Sequence, residues 1–572
     1  MLRKTTQNII MDWIETTCYK AIYCLDFSTF ELNQNLPYFD GKMEDEAYDV
    51  LIIGAGISGL TSAALLSKAG LKVGVLERHY LIGGYLQGFE RKKFIFDTAI
   101  HWLNQCGEEG TVSRLFRYIG EDYPRAQVME RIQRHIGDHH DFLLTNNPED
   151  LRKKLIQDFP EDAKGINRFF KEARKIAAIS RKFSRLFRST ETMGFFEKIR
   201  FNLRRAAIGF PLVKHVFYSG EDGMKKGLGK YFSNPDLLQL FSAERDLLSC
   251  LFPIAWAYNS DYQNPPIGGS QAFPKWLKDK IKEENGSKIL LSADVKEIIT
   301  ENHRFKGVRY VQRHKEYKVV APFLIAACDV EKLYKHLLPS EKFTHPYLNK
   351  LEQSEFYSSS VTISIALTCT AESLGFGSEL TLISNDQSTR DEHSSGDPYK
   401  SAISVLAPTV RDKTLSPADQ GTLTLYVPAW IAYENYWRTE RTKNGDFVRT
   451  EAYKELKETF AGIIIDRVAE KMCPKLREYI LFYEVATPIT YFRYTHNRDG
   501  SMMGTRPGKI NMQNKIAHYK TPVEGVLVGG HWAELGGGVP IATKAAYNAS
   551  LIVLKSLKKD KYKELVGVME RG

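Results

Sequence analysis

The sequence predicts an α/β fold in which a Rossmann-like domain is interleaved with a second domain built from a mixed β-sheet and helices. Three observations predict it. A β-branched run, Tyr48 to Ile53, leads straight into glycines at positions 54, 56 and 59. A second apolar run ends in an acid, Glu77. A third glycine-rich strand-and-helix pattern, from Thr521 to Leu557, lies near the other end of the chain.

The first run suits a strand buried on both faces of a parallel sheet. Gly54-Ala55-Gly56-Ile57-Ser58-Gly59 then fits G-x-G-x-x-G. Its first glycine permits a tight turn, the second admits a pyrophosphate to the backbone, and the third lets helix and strand pack closely. Ala55 and Ser58 fall inside the motif and are counted with its contact residues. An amphipathic helix is expected from Ser58 to Ala69, ended by Gly70, and a strand from Leu71 to Leu76. Glu77 stands where a carboxylate accepts hydrogen bonds from the ribose hydroxyls of an adenosine half. Two further features favour FAD over NAD. Gly83-Gly84 closes over the same pyrophosphate from just beyond Glu77. At the far end, Val528-Gly529-Gly530-His531 and Gly536-Gly537-Gly538-Val539 precede a helix from Pro540, a second N-terminus facing phosphate or ring. A flavin needs contacts from both ends of the chain.

These segments resemble the flavin-dependent amine oxidase and phytoene desaturase superfamily, and within it the branch of carotenoid isomerases and retinol saturases. The resemblance covers residues 48–110 and 485–555 most strongly and 262–340 less so. Its signature is Glu77, the Gly83-Gly84 pair and Phe96-Asp97-Thr98-Ala99-Ile100-His101-Trp102. It implies a GR2-type FAD-binding domain. Glu77 and Arg78 would then contact adenosine; Gly83, Gly84, Tyr85 and Leu86 the pyrophosphate and ribityl chain; and Ile100, His101 and Trp102 would run beside the isoalloxazine. Val295 would meet the adenine through its backbone, and Gly530, His531, Gly538 and Val539 would close the site. Two positions depart from the family pattern. Tyr85 stands where Arg is usual, and Gly530-His531 where the pair is Gly-Asp. The C-terminal motif lacks the cysteine of covalent members, so FAD is expected to be bound non-covalently.

The resemblance divides the chain into an N-terminal extension (1–46), FAD-binding parts at 47–135, 262–340 and 491–572, and substrate-domain parts at 136–261 and 341–490. With 572 residues, 43% of them hydrophobic, two interleaved cores are affordable. Residues 140–260 read as mostly helical. Alternating stretches at 358–368 and 421–427 read as strands roofing a substrate cavity. Trp430, Tyr433, Tyr436 and Trp437 follow the second of these and suit a core. The net charge of +10 concentrates between Arg174 and Arg205, where Phe183, Phe187, Phe195, Phe196 and Phe201 are interleaved with basic residues. Such a helix pair suits peripheral attachment to an anionic membrane; no nucleic-acid module accompanies the charge. Seven cysteines without a C-x-x-C pair read as free thiols in a reducing, cytoplasmic setting, with neither a metal site nor a disulfide framework.

The expected function is FAD-dependent oxidoreduction, desaturation or saturation, of C–C/C=C bonds in a hydrophobic polyene or isoprenoid such as a carotenoid or retinoid. NAD(P)H or a quinone is the expected redox partner. His101 is the first choice for a catalytic polar group, because histidine titrates in the range that suits proton delivery. His531, Glu534, Tyr491, Arg493 and Tyr494 are secondary choices. A flavin-dependent cis–trans isomerase and an amine oxidase are the alternative enzymes. A prenyl-protein carrier of this fold fits poorly with an intact glycine set.

Overall fold

A computed structural model describes residues 46–242, 246–281, 285–338, 341–385, 388–442 and 445–570. The expected N-terminal extension, with Cys18 and Cys24, therefore falls outside the described residues but for its last position. The five other cysteines are free thiols.

Val50–Ile53, wholly buried, is the central strand of a five-stranded parallel sheet. The order is Val526–Val528, Phe323–Ala326, Val50–Ile53, Val73–Leu76 and Lys288–Leu290. Register is set by apolar side chains facing both ways: Val50 lies beside Val73 on one side and Phe323 on the other. The helix Ile57–Lys68 crosses this sheet. It was expected to be amphipathic, yet Ile57 to Ser67 are all buried. The sheet covers one face, while the helices Gly538–Leu557 and Ala272–Lys280 cover the others. Its small residues, Ser58, Gly59, Ser62 and Ala63, make that triple contact possible. A Cβ on Gly59 would lie 1.9 Å from the Gly54 carbonyl oxygen.

A three-stranded antiparallel sheet, Ala293–Glu301, Arg304–Gln312 and Lys315–Val320, leads into Phe323–Ala326. The second domain is a seven-stranded mixed sheet. Its order is Ile480–Ala486, Ser359–Leu367, Gly421–Ala429, Ile403–Leu406, Leu380–Ile383, Arg131–Ile136 and Asp141–Thr145. Among the described residues, the only parallel pairing within it joins Leu380–Ile383 to Arg131–Ile136. Alternation places Val361, Ile363 and Ile365 under the long helix Glu451–Met472, against Phe460, Ile464 and Val468. The opposite face carries Ser360, Thr362 and Ser364 toward the first domain. Because Arg131–Ile136 is part of this sheet, the second domain takes up the chain before residue 136. The boundary expected at 490 likewise cuts the helix Pro488–Thr495. Of the four aromatics after Gly421–Ala429, Trp437 is fully buried, while Trp430 and Tyr436 are exposed.

The helical part holds Pro148–Asp158, Ala163–Ser184, Phe195–Gly209 and Leu247–Tyr258. No helix among the described residues is long and apolar enough to cross a membrane. The Gly59 contact is with backbone, which has no flexible end to move aside. Gly59→Ala is therefore expected to cost about 3 kcal/mol, read as a lowered midpoint in thermal or urea unfolding.

Candidate functional site

The site begins where Val50–Ile53 ends. Gly54 turns with φ +100°, and a Cβ there would meet the Ala327 carbonyl at 2.6 Å. Gly56 is different, because a Cβ on it would meet nothing within 4 Å. Its open side faces a cavity of about 1230 Å³. The second glycine pair folds over it: the Gly83 N–H donates to the Ala55 carbonyl at 2.8 Å, and a Cβ on Gly84 would come within 3.2 Å of Gly56 Cα. Two backbone segments thus form one side-chain-free cradle of the kind a pyrophosphate needs.

Glu77 terminates the second strand. Its Oε2 accepts the Ala55 N–H at 2.6 Å and its Oε1 the His79 N–H at 2.8 Å. Each carboxylate oxygen keeps a further lone pair for a ribose hydroxyl. Arg78 beside it donates to the carbonyls of Arg493 (2.7 Å) and Tyr494 (3.1 Å), and contacts the His496 ring. Asp294 and Lys332 complete this end of the cavity.

Tyr85, which stands where the family pattern usually has an arginine, acts as a structural tie. Its hydroxyl donates to the Ser501 carbonyl at 2.8 Å, and its own carbonyl accepts from Thr98 Oγ1 at 3.1 Å. The glycine turn is thereby fastened to the chain's C-terminal part. His531 forms part of the wall; its Nε2 is buried without a hydrogen-bond partner, and burial lowers its pKa to about 4. An orphaned imidazole nitrogen beside the cradle fits a site built around a polar ligand.

His101 packs against Tyr426, ring centroids 3.9 Å apart. Burial, reinforced by the Arg411 cation, lowers its pKa to about 4. The ring is therefore neutral near pH 7, so it can orient a ligand but holds no imidazolium proton to deliver, contrary to the reason for choosing it. Arg411 donates to the His101 carbonyl at 2.8 Å and fixes this stretch. Just upstream, Asp97 accepts the Ser270 hydroxyl at 2.7 Å and its N–H at 2.9 Å.

The cavity wall brings together Gly54, Gly56, Ser58, Glu77, Arg78, Gly83, Gly84, Tyr85, Leu86, Ile100, His101, Trp102, Val295, Gly530, His531, Gly538 and Val539. Ala55 and Gly59 are not on it. Ala55 gives its N–H to Glu77, and Gly59 lets the helix close on the strand. Glu534 and Tyr494 are on the wall, but Tyr491 and Arg493 are not. The Tyr491 hydroxyl bonds Thr362 at 2.6 Å and the Thr98 carbonyl at 3.0 Å, joining the two domains. Sequence reasoning missed Tyr426, Trp256, Asp261 and Met502, all on the wall, where Cys328 also lies, in a turn the resemblance sets near the cofactor. The Cys328 thiol is pushed up to about 12 by burial. The Asp261 carboxyl is raised to about 6 by burial while it accepts from the Gln105 backbone and side chain. Alternation along Gly421–Ala429 offered a signal for Tyr426, which faces opposite Leu425 and Val427.

In the unfolded chain His101 and His531 take up protons as pH falls below 6.5, whereas in the folded state they resist until about pH 4. The unfolded state then binds more protons, so stability is expected to be full above pH 6.5 and to decline between pH 6.5 and 4. Urea unfolding across this range should show a shallower decline for His101→Gln/His531→Gln.

Residues 52–119 match the NAD(P)-binding Rossmann-like domain family. All-trans-retinol 13,14-reductase from Danio rerio is 25% identical over 559 residues, covering 90% of this chain and 87% of that protein. Chloroplastic prolycopene isomerase from Daucus carota is 25% identical over 493 residues, covering 82% and 75%. Among solved structures, cyclohexylamine oxidase from Brevibacterium oxydans superposes with a TM-score of 0.55 at 13% identity, over 89% of this chain and 99% of that one, a likeness of fold alone. The chain is thus similar, at 25% identity over most of its length, to a retinol reductase and a prolycopene isomerase.

Proposed function

We propose that the protein is an FAD-dependent oxidoreductase that adds or removes hydrogen across carbon–carbon bonds of a hydrophobic polyene or isoprenoid such as a carotenoid or retinoid. The observation that carries this reading is a single continuous cavity of about 1230 Å³. It runs from the glycine cradle to a half lined by Trp102, Trp256, Phe183, Tyr426 and Met502. Pockets for one small ligand occupy roughly 300–1,000 Å³, so this cavity has room for a dinucleotide and a second, greasy molecule.

The residues suit the cofactor. Glu77 offers acceptors to an adenosine ribose, the Gly56 and Gly84 backbones admit a pyrophosphate, and the helix beginning at Gly538 has its first turn on the cavity wall. Bound there, FAD would supply hydride transfer, with NAD(P)H or a quinone as redox partner. The chain's own contribution is orientation and exclusion of water. The neutral ring of His101, held on Tyr426, would lie beside the substrate as a positioning group. Ser58, Leu86, Ile100, Val295 and Val539 would shape the walls. Attachment to a membrane surface through the 174–205 region would bring a lipid-soluble substrate within reach.

A second reading, cis–trans isomerisation by the same cofactor, is favoured by the likeness to prolycopene isomerase. Purified protein should be yellow, with a flavin spectrum, and the flavin should be released intact on denaturation. Incubated with carotenoid and retinoid mixtures under reducing and oxidising conditions, it should yield products shifted by two hydrogens; an unchanged mass with altered retention would identify the isomerase. Failure to change any polyene would remove the reading. Gly56→Val should keep the fold, since space is free around Gly56, yet lose most bound flavin, measured by absorbance per polypeptide.

A further inference from the structure

Residues 185–194 join the helix Ala163–Ser184 to the helix Phe195–Gly209, and the middle of this strap serves two neighbours. Toward the cavity, Leu186, Phe187, Arg188, Ser189 and Thr190 are all on the wall. Away from it, the strap is tied to elements near the other end of the chain. Asn548, on the helix Gly538–Leu557, accepts the Ser189 N–H at 2.6 Å and donates to the Phe187 carbonyl at 2.9 Å. The Glu191 carboxylate accepts the N–H groups of Tyr519 (2.9 Å) and Lys520 (3.0 Å).

Arg188 carries a full charge in a side chain that is only 5% exposed. Its Nη1 donates to Glu570 at 2.7 Å and to Glu197 at 3.4 Å, while its Nη2 donates to the Tyr562 hydroxyl at 3.0 Å. That hydroxyl donates in turn to the Thr192 carbonyl at 2.9 Å. Glu570 and Tyr562 both lie on the helix Lys559–Glu570. Stripping a buried cation of its carboxylate is costly, so strap and helix are coupled through Arg188. The helix itself is lightly seated. Of its 12 residues, Leu565 and Met569 are the buried ones, and the Glu570 side chain is 55% exposed. On another flank the Tyr118 hydroxyl donates to Glu564 at 2.9 Å. An element with so little buried apolar surface opens at a lower cost than the core does.

We propose that the helix Lys559–Glu570 is a clasp on the cavity. Seated, it holds residues 186–190 as a closed wall; unseated, it withdraws the carboxylate from Arg188, the strap lifts, and the cavity exchanges its contents. Opening therefore starts at an element that contributes no residue to the cavity wall. That a dinucleotide leaves this way rests on the reading that the cavity holds one. The coupling of helix to strap does not.

The test uses the full-length, flavin-loaded protein and two variants. Glu570→Lys reverses the counter-charge, whereas Tyr118→Phe cuts the tie on the other flank without touching Arg188. In both, amide hydrogen exchange should rise together in residues 559–570 and 185–192. Losing the charged hydrogen bond in Glu570→Lys should raise strap opening roughly tenfold or more, read also as trypsin cleavage after Arg185 and Arg188. Exchange in the strand Val50–Ile53 and the helix Glu451–Met472 should stay as it was, and flavin, followed by its fluorescence, should leave faster on dilution. The proposal is overturned if 559–570 exchanges no faster in Glu570→Lys, if the helix loosens while the strap stays protected, or if the whole chain exchanges faster. It is equally overturned if the strap opens and flavin leaves at its old rate, or if Tyr118→Phe leaves the strap closed, since the effect of Glu570→Lys would then be local repulsion at Arg188. No readout involves turnover. A coupled strap in a protein that changes no polyene would sink the functional reading alone, and an uncoupled strap in an active enzyme the clasp alone.

Discussion

The structure depends on one meeting of backbone segments far apart in the chain. The Ser58 hydroxyl reaches the carbonyl of Gly529, 471 residues away, while the Ile57–Lys68 helix lies between the first strand and the Gly538–Leu557 helix. Strand Val50–Ile53 can be central only because Phe323–Ala326 and then Val526–Val528 return to its flank. Everything between must therefore leave the parallel sheet and come back to it, which is why the second domain is inserted in pieces rather than appended.

The same constraint explains how the cavity forms. The glycine cradle comes from the first hundred residues, but its far wall needs Gly530 to Val539 and the seven-stranded sheet. Tyr85 and Tyr491 hold these parts together through hydroxyl bonds to Ser501, Thr362 and Thr98. Neither tyrosine ionises in reach of neutral pH, since burial raises both. The ties are neutral and do not depend on salt.

The parts legible in the sequence were those whose physics is local. Gly54, Gly56, Gly59 and Glu77 announce themselves because a tight turn, a close approach and a strand-end acid each demand a residue type at a fixed spacing. The alternation at 358–368 and 421–427 located two neighbouring strands for the same reason. Contacts set by distant chain were not legible. Nothing near Tyr85 says that Ser501 will receive its hydroxyl, and the uniform burial of Ile57 to Ser67 follows from two helices remote in sequence. Likewise, the basic and aromatic composition around 174–205 did not reveal which aromatics turn inward; only the packing of Phe187 on Tyr547 and the placing of Phe183 and Phe201 on the wall separate them from the exposed Phe196 and Leu203.

Cys328 sits in the cavity wall at the end of a central strand, with its thiol held protonated to about pH 12. A thiolate is what oxidants attack, so a cysteine kept in this state is chemically quiet even beside redox chemistry. The wall therefore gains, at that position, a small and weakly polar side chain whose sulfur is a poor nucleophile near neutral pH.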